Sequence, residues 1–100
     1  MIYHSVFFTL KYPENSTQEQ AFFQASQKLS QIPGVLNFQV LKQTSNKNNF
    51  TYGLLMEFEN QVSYENYSNH QDHVRFIDDF WIKDVADFLE IDYEKLRIKL

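Results

Sequence analysis

An alternating pattern between Phe50 and Glu59 constrains the fold of this chain more than any other feature. Every second residue is apolar, and this face consists of Phe50, Tyr52, Leu54, Met56 and Phe58. Because successive side chains of a β-strand point to opposite faces, the pattern predicts a strand with one face against a core. Residues 35–42 alternate as well, and their predicted core face consists of Leu36, Phe38 and Val40. The polar residues between the two segments predict an antiparallel hairpin.

Two more strands and two helical regions are predicted around this hairpin. Residues 85–93 alternate, and so do residues 2–10, whose more apolar face consists of His4, Val6, Phe8 and Leu10. Ser16 followed by Glu19 is typical of a capping box, here opening a helix that runs to about Gln31. Asn60 is predicted to cap a short helix that breaks near His70. A second helical stretch then covers 71–82, with a buried stripe of Val74, Ile77 and Trp81.

The resulting order, β-α-β-β-α-β, is typical of a ferredoxin-like α+β domain with a four-stranded antiparallel sheet and both helices on one face. The chain of 100 residues is the size of one domain, which we expect to span 1–100. The other face of the predicted sheet carries Tyr3, Phe7 and Leu55, which are too apolar for a surface left in water. This surplus predicts a homodimer in which two sheets pack together.

Composition narrows the class of partner. A net charge of −4 with scattered Lys and Arg argues against nucleic acid, whose phosphates must be neutralised by clustered basic residues. No stretch approaches the roughly 20 apolar residues that span a bilayer, so no membrane partner is expected. The chain has no cysteine, which suits a reducing compartment. We therefore expect a cytoplasmic protein.

Histidines mark the candidate site. His70 and His73 follow Tyr67 closely, and His4 lies within the first strand. Imidazole changes charge near neutral pH, so histidines that converge on one space could transfer protons. The alternative is that His4 is a core histidine, hydrogen-bonded to His73 or to a backbone carbonyl. No third ligand is obvious beside His70 and His73, and no metal or other cofactor is expected.

Several pieces of the chain, in their order and spacing, resemble the stress-responsive dimeric α/β-barrel family, often called Dabb proteins. The matching pieces are Met1 to Phe8 with Lys11, Ile32 to Val35, Glu57 to Glu59, Tyr67 to Phe76, and Ile91 to Tyr93. The resemblance implies a ferredoxin-like subunit whose sheet packs on a partner's sheet to form a barrel with helices outside.

The resemblance also implies site residues. A plant polyketide cyclase of this family works without metal or organic cofactor, and its histidine base and its tyrosine correspond to His73 and Tyr67 here, while the strand-one histidine corresponds to His4. Gln71 stands where proline is usual, and Ser26 appears where that cyclase has an aromatic pocket wall. Because of these differences we do not expect the substrate of that cyclase. The expected ligand is an apolar polyketide-like or quinone-like molecule.

Around these three candidate catalytic residues we expect a ligand-binding wall of Val6, Phe8, Phe22, Phe23, Leu54, His70 and Phe76. The predicted function is a small homodimer that holds an apolar small molecule between sheet and helices, with cyclase-like or lyase-like acid–base chemistry at His73 and Tyr67. Two alternatives stay open. One is a non-catalytic stress-response or structural homodimer, in which Phe22, Phe23 and Phe76 fill the space. The other is a cofactorless monooxygenase-like enzyme.

Overall fold

The fold is one antiparallel sheet covered by helices on a single face, as the sequence predicts. A computed structural model describes residues 1–99, so Leu100, at the end of the predicted domain, lies outside the described part. The strand order is β2-β3-β1-β4. The strands are β1 (Ile2–Leu10), β2 (Leu36–Lys42), β3 (Tyr52–Phe58) and β4 (Val85–Tyr93). The helices are α1 (Thr17–Gln27), α2 (Gln61–Asn69), α3 (Gln71–Phe76) and the single turn α4 (Ile82–Asp84).

Two irregular turns extend these helices. A 3₁₀ turn (Lys28–Gln31) prolongs α1 to the predicted end of the first helix, and a π-helical segment (Ile77–Trp81) joins α3 to α4. Within residues 1–99, no helix has the length and apolar character needed to cross a lipid bilayer.

Local sequence explains where the helices begin. The Ser16 hydroxyl accepts a hydrogen bond from the Glu19 N–H at 3.2 Å, as expected for a capping box. The Glu19 carboxylate accepts from the N–H of Asn15 at 3.0 Å, one residue before the position that a capping box uses. The Asn60 side chain accepts from the N–H of Ser63 at 2.9 Å. Each cap satisfies amide groups that the first helical turn leaves unpaired.

The hydrophobic core lies between the helices and one face of the sheet. The pairing of β1 with β3 places Val6 opposite Leu54 and Phe8 opposite Tyr52, and all four side chains are buried. The helical layer contributes the buried residues Phe22, Leu29, Ile32, Tyr67 and Phe76. The predicted core face of β3 is therefore confirmed from Tyr52 to Phe58, while Phe50 precedes the strand.

The predicted face of β2 is wrong at its first residue. Leu36 pairs with Glu57, which points away from the helices, and the register shifts between Leu36 and Gln39. Asn37 lies in this shift with a φ of 49°, a left-handed conformation that asparagine tolerates better than most residues. An irregularity of this kind moves the side chains before it to the other face, so Leu36 is exposed, whereas Phe38 and Val40 pack against the core.

The predicted stripe of the second helical stretch is wrong at Val74. Val74 is exposed, and the buried residue is Phe76, whose ring lies 5.4 Å from that of Phe22. The π-helical segment places Trp81 five residues after Phe76, and the wider turn returns Trp81 to the core side, 5.1 Å from the Phe8 ring. Large aromatic rings therefore determine which side of this stretch faces the sheet.

The helix-free face of the sheet is apolar on all four strands. The pairing of β1 with β4 places Leu89 beside Phe7 and Tyr93 beside Tyr3. The large side chains exposed on this face are Leu36, Leu41, Leu89 and Tyr93. A groove of about 140 Å³ crosses it between Tyr3 and Leu55, residues that the sequence assigned to this face.

Candidate active site

A cavity of about 240 Å³ lies between the helix-covered face of the sheet and the helices. The predicted site residues that line it are His4, Val6, Leu54, Tyr67, His73 and Phe76. The lining residues that the sequence analysis did not assign to the site are Leu29, Met56, Ile77, Trp81, Phe88 and Glu90. The fold therefore brings all three candidate catalytic residues to one space.

Four residues that we expected in the ligand-binding wall lie elsewhere. Phe8 and Phe22 are fully buried with ring centroids 5.5 Å apart, and Phe23 packs edge-on against Tyr52 at 4.8 Å. Along β1, Phe8 is four residues from His4, a distance of about 13 Å in a strand, so these rings fill the core at the far end of the sheet.

His70, the fourth of them, caps α3 instead of lining the cavity. Its Nδ1 accepts a hydrogen bond from the N–H of Asp72 at 3.1 Å. This agrees with the break between the two helices that the sequence predicts near His70.

The end of α2 fixes the orientation of His73. Because the last carbonyls of a helix lack partners within it, the Ser68 carbonyl is free to accept a hydrogen bond, and His73 Nδ1 donates to it at 2.9 Å. A carbonyl only accepts, so the proton is on Nδ1 and the neutral ring keeps a lone pair on Nε2. Burial lowers the pKa of His73, and the nearby His4 lowers it further, whereas the Ser68 carbonyl and Glu90 act in the opposite direction. His73 is thus a neutral base of defined tautomer.

Tyr67 lies between the two imidazoles. Its ring centroid is 4.6 Å from that of His73 and 6.2 Å from that of His4, and only 3% of the residue is exposed. Burial raises the pKa of the Tyr67 phenol, and the charge of Glu90 raises it further. The phenol therefore keeps its proton at neutral pH and can donate a hydrogen bond into the cavity.

His4 is held by a carboxylate and a second phenol. Its Nδ1 donates to Asp92 Oδ1 at 2.6 Å, the Tyr64 hydroxyl donates to Asp92 Oδ2 at 2.8 Å, and the Tyr64 oxygen is 3.0 Å from His4 Nδ1. The cross-strand pair His4 and Asp92 sets this geometry. Burial raises the pKa of Tyr64, and its hydrogen bond to Asp92 adds to the effect. No hydrogen bond within residues 1–99 joins His4 directly to His73, and the partners of His4 are Asp92 and Tyr64 instead of a backbone carbonyl, although both histidines line the same cavity.

Three side chains at one end of the cavity have the donor types that bind divalent metals. His4, Glu90 and Asp92 each offer an atom, and these atoms lie within 4.8 Å of one another. A metal here would need the Asp92 oxygens that already accept from His4 and Tyr64.

The sequence analysis missed Tyr64, Glu90 and Asp92. The spacing of these residues in the sequence nevertheless indicated which side of each element they share. Phe88, Glu90 and Asp92 are spaced two residues apart and therefore lie on one side of β4. Tyr64 precedes Tyr67 by one helical turn. What the sequence lacked was the register of β4 against β1, which places that side of β4 over the cavity.

The lowered pKa of His73 predicts a pH-dependent stability. The ordinary pKa is 6.5, and protonation is less favourable in the folded chain. His73 therefore makes its full contribution to the stability of the folded chain when the pH is above the pKa of His73 in the unfolded chain. This contribution is lost as the pH falls from that value toward the lower pKa of His73 in the folded chain. We expect Tm to fall between pH 7.5 and 5 more steeply for the natural chain than for His73→Gln, measured by thermal unfolding at a series of pH values. His70→Gln should keep the natural slope, and equal slopes for all three chains would contradict the assignment.

Comparison with known proteins identifies the family. The family model described as the stress responsive A/B barrel domain (Dabb) matches residues 2–95. The crystal structure of a Dabb family protein with a ferredoxin-like fold from Mesorhizobium loti is 44% identical, with a TM-score of 0.93 over 96% of this chain and 97% of that chain. A search of curated protein sequences finds no match.

More distant structures share the fold. The hydroxynitrile lyase from Passiflora edulis is 14% identical, with a TM-score of 0.84 over 99% of this chain and 96% of that chain. A dimeric ferredoxin-like protein from Thermobifida fusca is 18% identical, with a TM-score of 0.77 over 92% of this chain and 88% of that chain. The family model and the 44% identical structure carry the assignment: the chain belongs to the stress responsive A/B barrel (Dabb) domain family.

Proposed function

We propose that the protein is a homodimer that holds an apolar small molecule in the cavity beside His4, Tyr67 and His73 and catalyses proton transfer on it without a cofactor. The cavity of about 240 Å³ is somewhat below the range of about 300–1,000 Å³ usual for ligand pockets, which limits the ligand to a small molecule of one or two rings. Most of its wall is aliphatic or aromatic, and its few polar groups are the three candidate catalytic residues and Glu90.

The observation that carries the proposal is the state of His73. A general base must be unprotonated near neutral pH and must direct a lone pair at the substrate. Burial lowers the pKa of His73, and the hydrogen bond from Nδ1 to the Ser68 carbonyl leaves Nε2 as the free acceptor. Both features support a role for His73 as the general base.

The arrangement suits removal of a proton next to a carbonyl group. His73 Nε2 takes the proton from the carbon, and negative charge develops on the carbonyl oxygen. Tyr67, whose ring centroid lies 4.6 Å from that of His73, donates a hydrogen bond from its hydroxyl to that oxygen. The enolate can then attack a carbonyl carbon, as in a cyclase, or expel a leaving group, as in a lyase. The His73 imidazolium returns its proton to the resulting alkoxide or to the leaving group, which restores the neutral base.

The hydroxynitrile lyase named above is an example of this fold in a lyase. Its sequence identity of 14% is too low to assign roles to residues of this chain.

The homodimer is proposed from the helix-free face. Tyr3, Phe7, Leu55 and Leu89 form an apolar surface there, and the Thermobifida fusca protein of the same fold is dimeric. A second copy on a two-fold axis would cover the surface in both subunits.

We expect light scattering at micromolar concentration to give twice the chain mass of 12.0 kDa. Leu55→Glu should shift the protein to monomer, because each dimer would bury two carboxylates in an apolar interface. Glu59→Gln, outside the sheet face, is the control. A monomeric natural chain would overturn the proposal.

One observation favours a structural role for part of the site. His4 is tied to β4 through Asp92 and to α2 through Tyr64, and a histidine with these partners can serve to hold three elements together. Under this alternative the protein is a non-catalytic homodimer.

Hydrogen exchange on a small ketone separates the two functions. The natural protein should accelerate the incorporation of deuterium at the methyl group of acetophenone in deuterium oxide, followed by proton NMR, because abstraction of that proton is the step assigned to His73. Buffer and the heat-unfolded protein set the background. If acetophenone, 4-hydroxyacetophenone and 2-acetylnaphthalene all exchange at the background rate, the catalytic proposal is wrong.

A further inference from the structure

Glu90 lies in the part of the cavity wall that is formed by β4. It lies on β4, the edge strand of the sheet, and its side chain shares the helix-covered face with Phe88, which is half exposed. Both residues line the cavity and both reach solvent. The cavity therefore opens over the β4 edge, and a molecule that enters there passes Glu90.

Glu90 supplies a negative charge at the cavity wall. Among the lining residues Glu90 is the one carboxylate, and no lysine or arginine within residues 1–99 lines the cavity. The other titratable groups near Glu90 are His4 on β1, whose Nδ1 is paired with Asp92, and Asp92 itself, which offers a carboxylate oxygen within 4.8 Å of one of Glu90. Tyr64, Tyr67 and His73 approach it from the helices. Glu90 raises the pKa of both Tyr67 and His73, so its charge reaches the groups that would contact a ligand.

We propose that Glu90 selects the ligand by charge, so that the cavity accepts neutral apolar carbonyl compounds and excludes carboxylates. This rests on the proposed function, because it names the class of molecule taken by the same cavity. A carboxylate on the ligand would be brought close to the carboxylate of Glu90, and no lysine or arginine within residues 1–99 lines the wall to compensate it. The same charge favours the imidazolium that His73 becomes after it takes a proton.

Matched pairs of ligands test the selection without any need for turnover. The pairs are 3-phenylpropanamide with 3-phenylpropanoate, and 2-naphthamide with 2-naphthoate, which differ in charge but little in shape. Calorimetric titration at pH 7.5 and low salt should give the natural protein about tenfold or greater preference for each amide, as expected for a like charge at close range. Raising the salt concentration should narrow the preference.

Glu90→Gln should reduce the preference to less than about threefold, mainly by tightening binding of the carboxylate, and Glu90→Lys should reverse it. Glu94→Gln is the matched control, because it changes net charge equally four residues along, outside the cavity, and should keep the natural preference. Thermal unfolding of each variant verifies folding, which the exposed position of Glu90 favours.

Each result of the binding and exchange experiments supports or overturns a specific proposal. Equal binding of amide and carboxylate by the natural protein, or equal effects of Glu90→Gln and Glu94→Gln, overturns the selection by Glu90 while leaving proton-transfer chemistry intact. Absence of binding by all four ligands overturns both the selection and the cavity as a ligand site. Selective binding without deuterium exchange on ketones supports the selection and contradicts only the catalytic proposal.

Discussion

Replacing His73 with glutamine should lower the rate of deuterium incorporation into acetophenone by about 10²- to 10⁴-fold, the usual contribution of a positioned general base. Glutamine can still donate a hydrogen bond to the Ser68 carbonyl, which His73 contacts at 2.9 Å, so the end of α2 keeps its partner. It has no basic nitrogen, so proton abstraction is lost while local packing is largely retained.

His70→Gln is the matched control for this variant. His70 is three residues away and caps α3, but it does not line the cavity. Its substitution should therefore leave exchange within about twofold of the natural rate, while Tyr67→Phe should lose about 10- to 1000-fold through the missing oxyanion donor. Similar exchange rates for His73→Gln and His70→Gln would remove His73 from the proposed mechanism.

Replacing Phe22 with alanine should lower the free energy of unfolding by about 3–5 kcal/mol, the range measured for large-to-small changes of buried aromatic residues. Phe22 is fully buried, and its ring contacts those of Phe8, Phe23 and Phe76 at centroid distances of 5.4–5.5 Å. Because a domain of this size is stable by only about 5–15 kcal/mol, the variant should show a large fall in Tm, measured by calorimetry or denaturant titration.

Phe88→Ala provides the contrast. Phe88 lines the cavity, contacts Trp81 at 5.5 Å and is 50% exposed, so its truncation should cost no more than about 1 kcal/mol. The comparison separates a core residue from a residue of the ligand wall. Equal destabilisation by the two substitutions would contradict the placement of Phe22 in the core and of Phe88 at the cavity opening.

Local patterns determined most of the fold. The alternation in Tyr52–Phe58, the caps at Ser16 and Asn60 and the break at His70 depend on neighbours in sequence, and each appears in the structure where the sequence predicts it. The order of elements then left few arrangements open, because adjacent elements pack together and chain crossovers have one preferred hand. With the family resemblance, the same sequence also placed His4, Tyr67 and His73 in one cavity.

Only the tertiary structure decided the details of the site. The partner of His4 depends on the register of two strands that are far apart in sequence, and no local pattern states that Asp92 lies opposite it. The division between core and cavity depends on how large rings pack, which buried Phe8 and Phe22 and left Phe88 at the opening. Periodicity reports which side of an element is apolar, whereas register and packing are properties of pairs of elements and are fixed only when the elements meet.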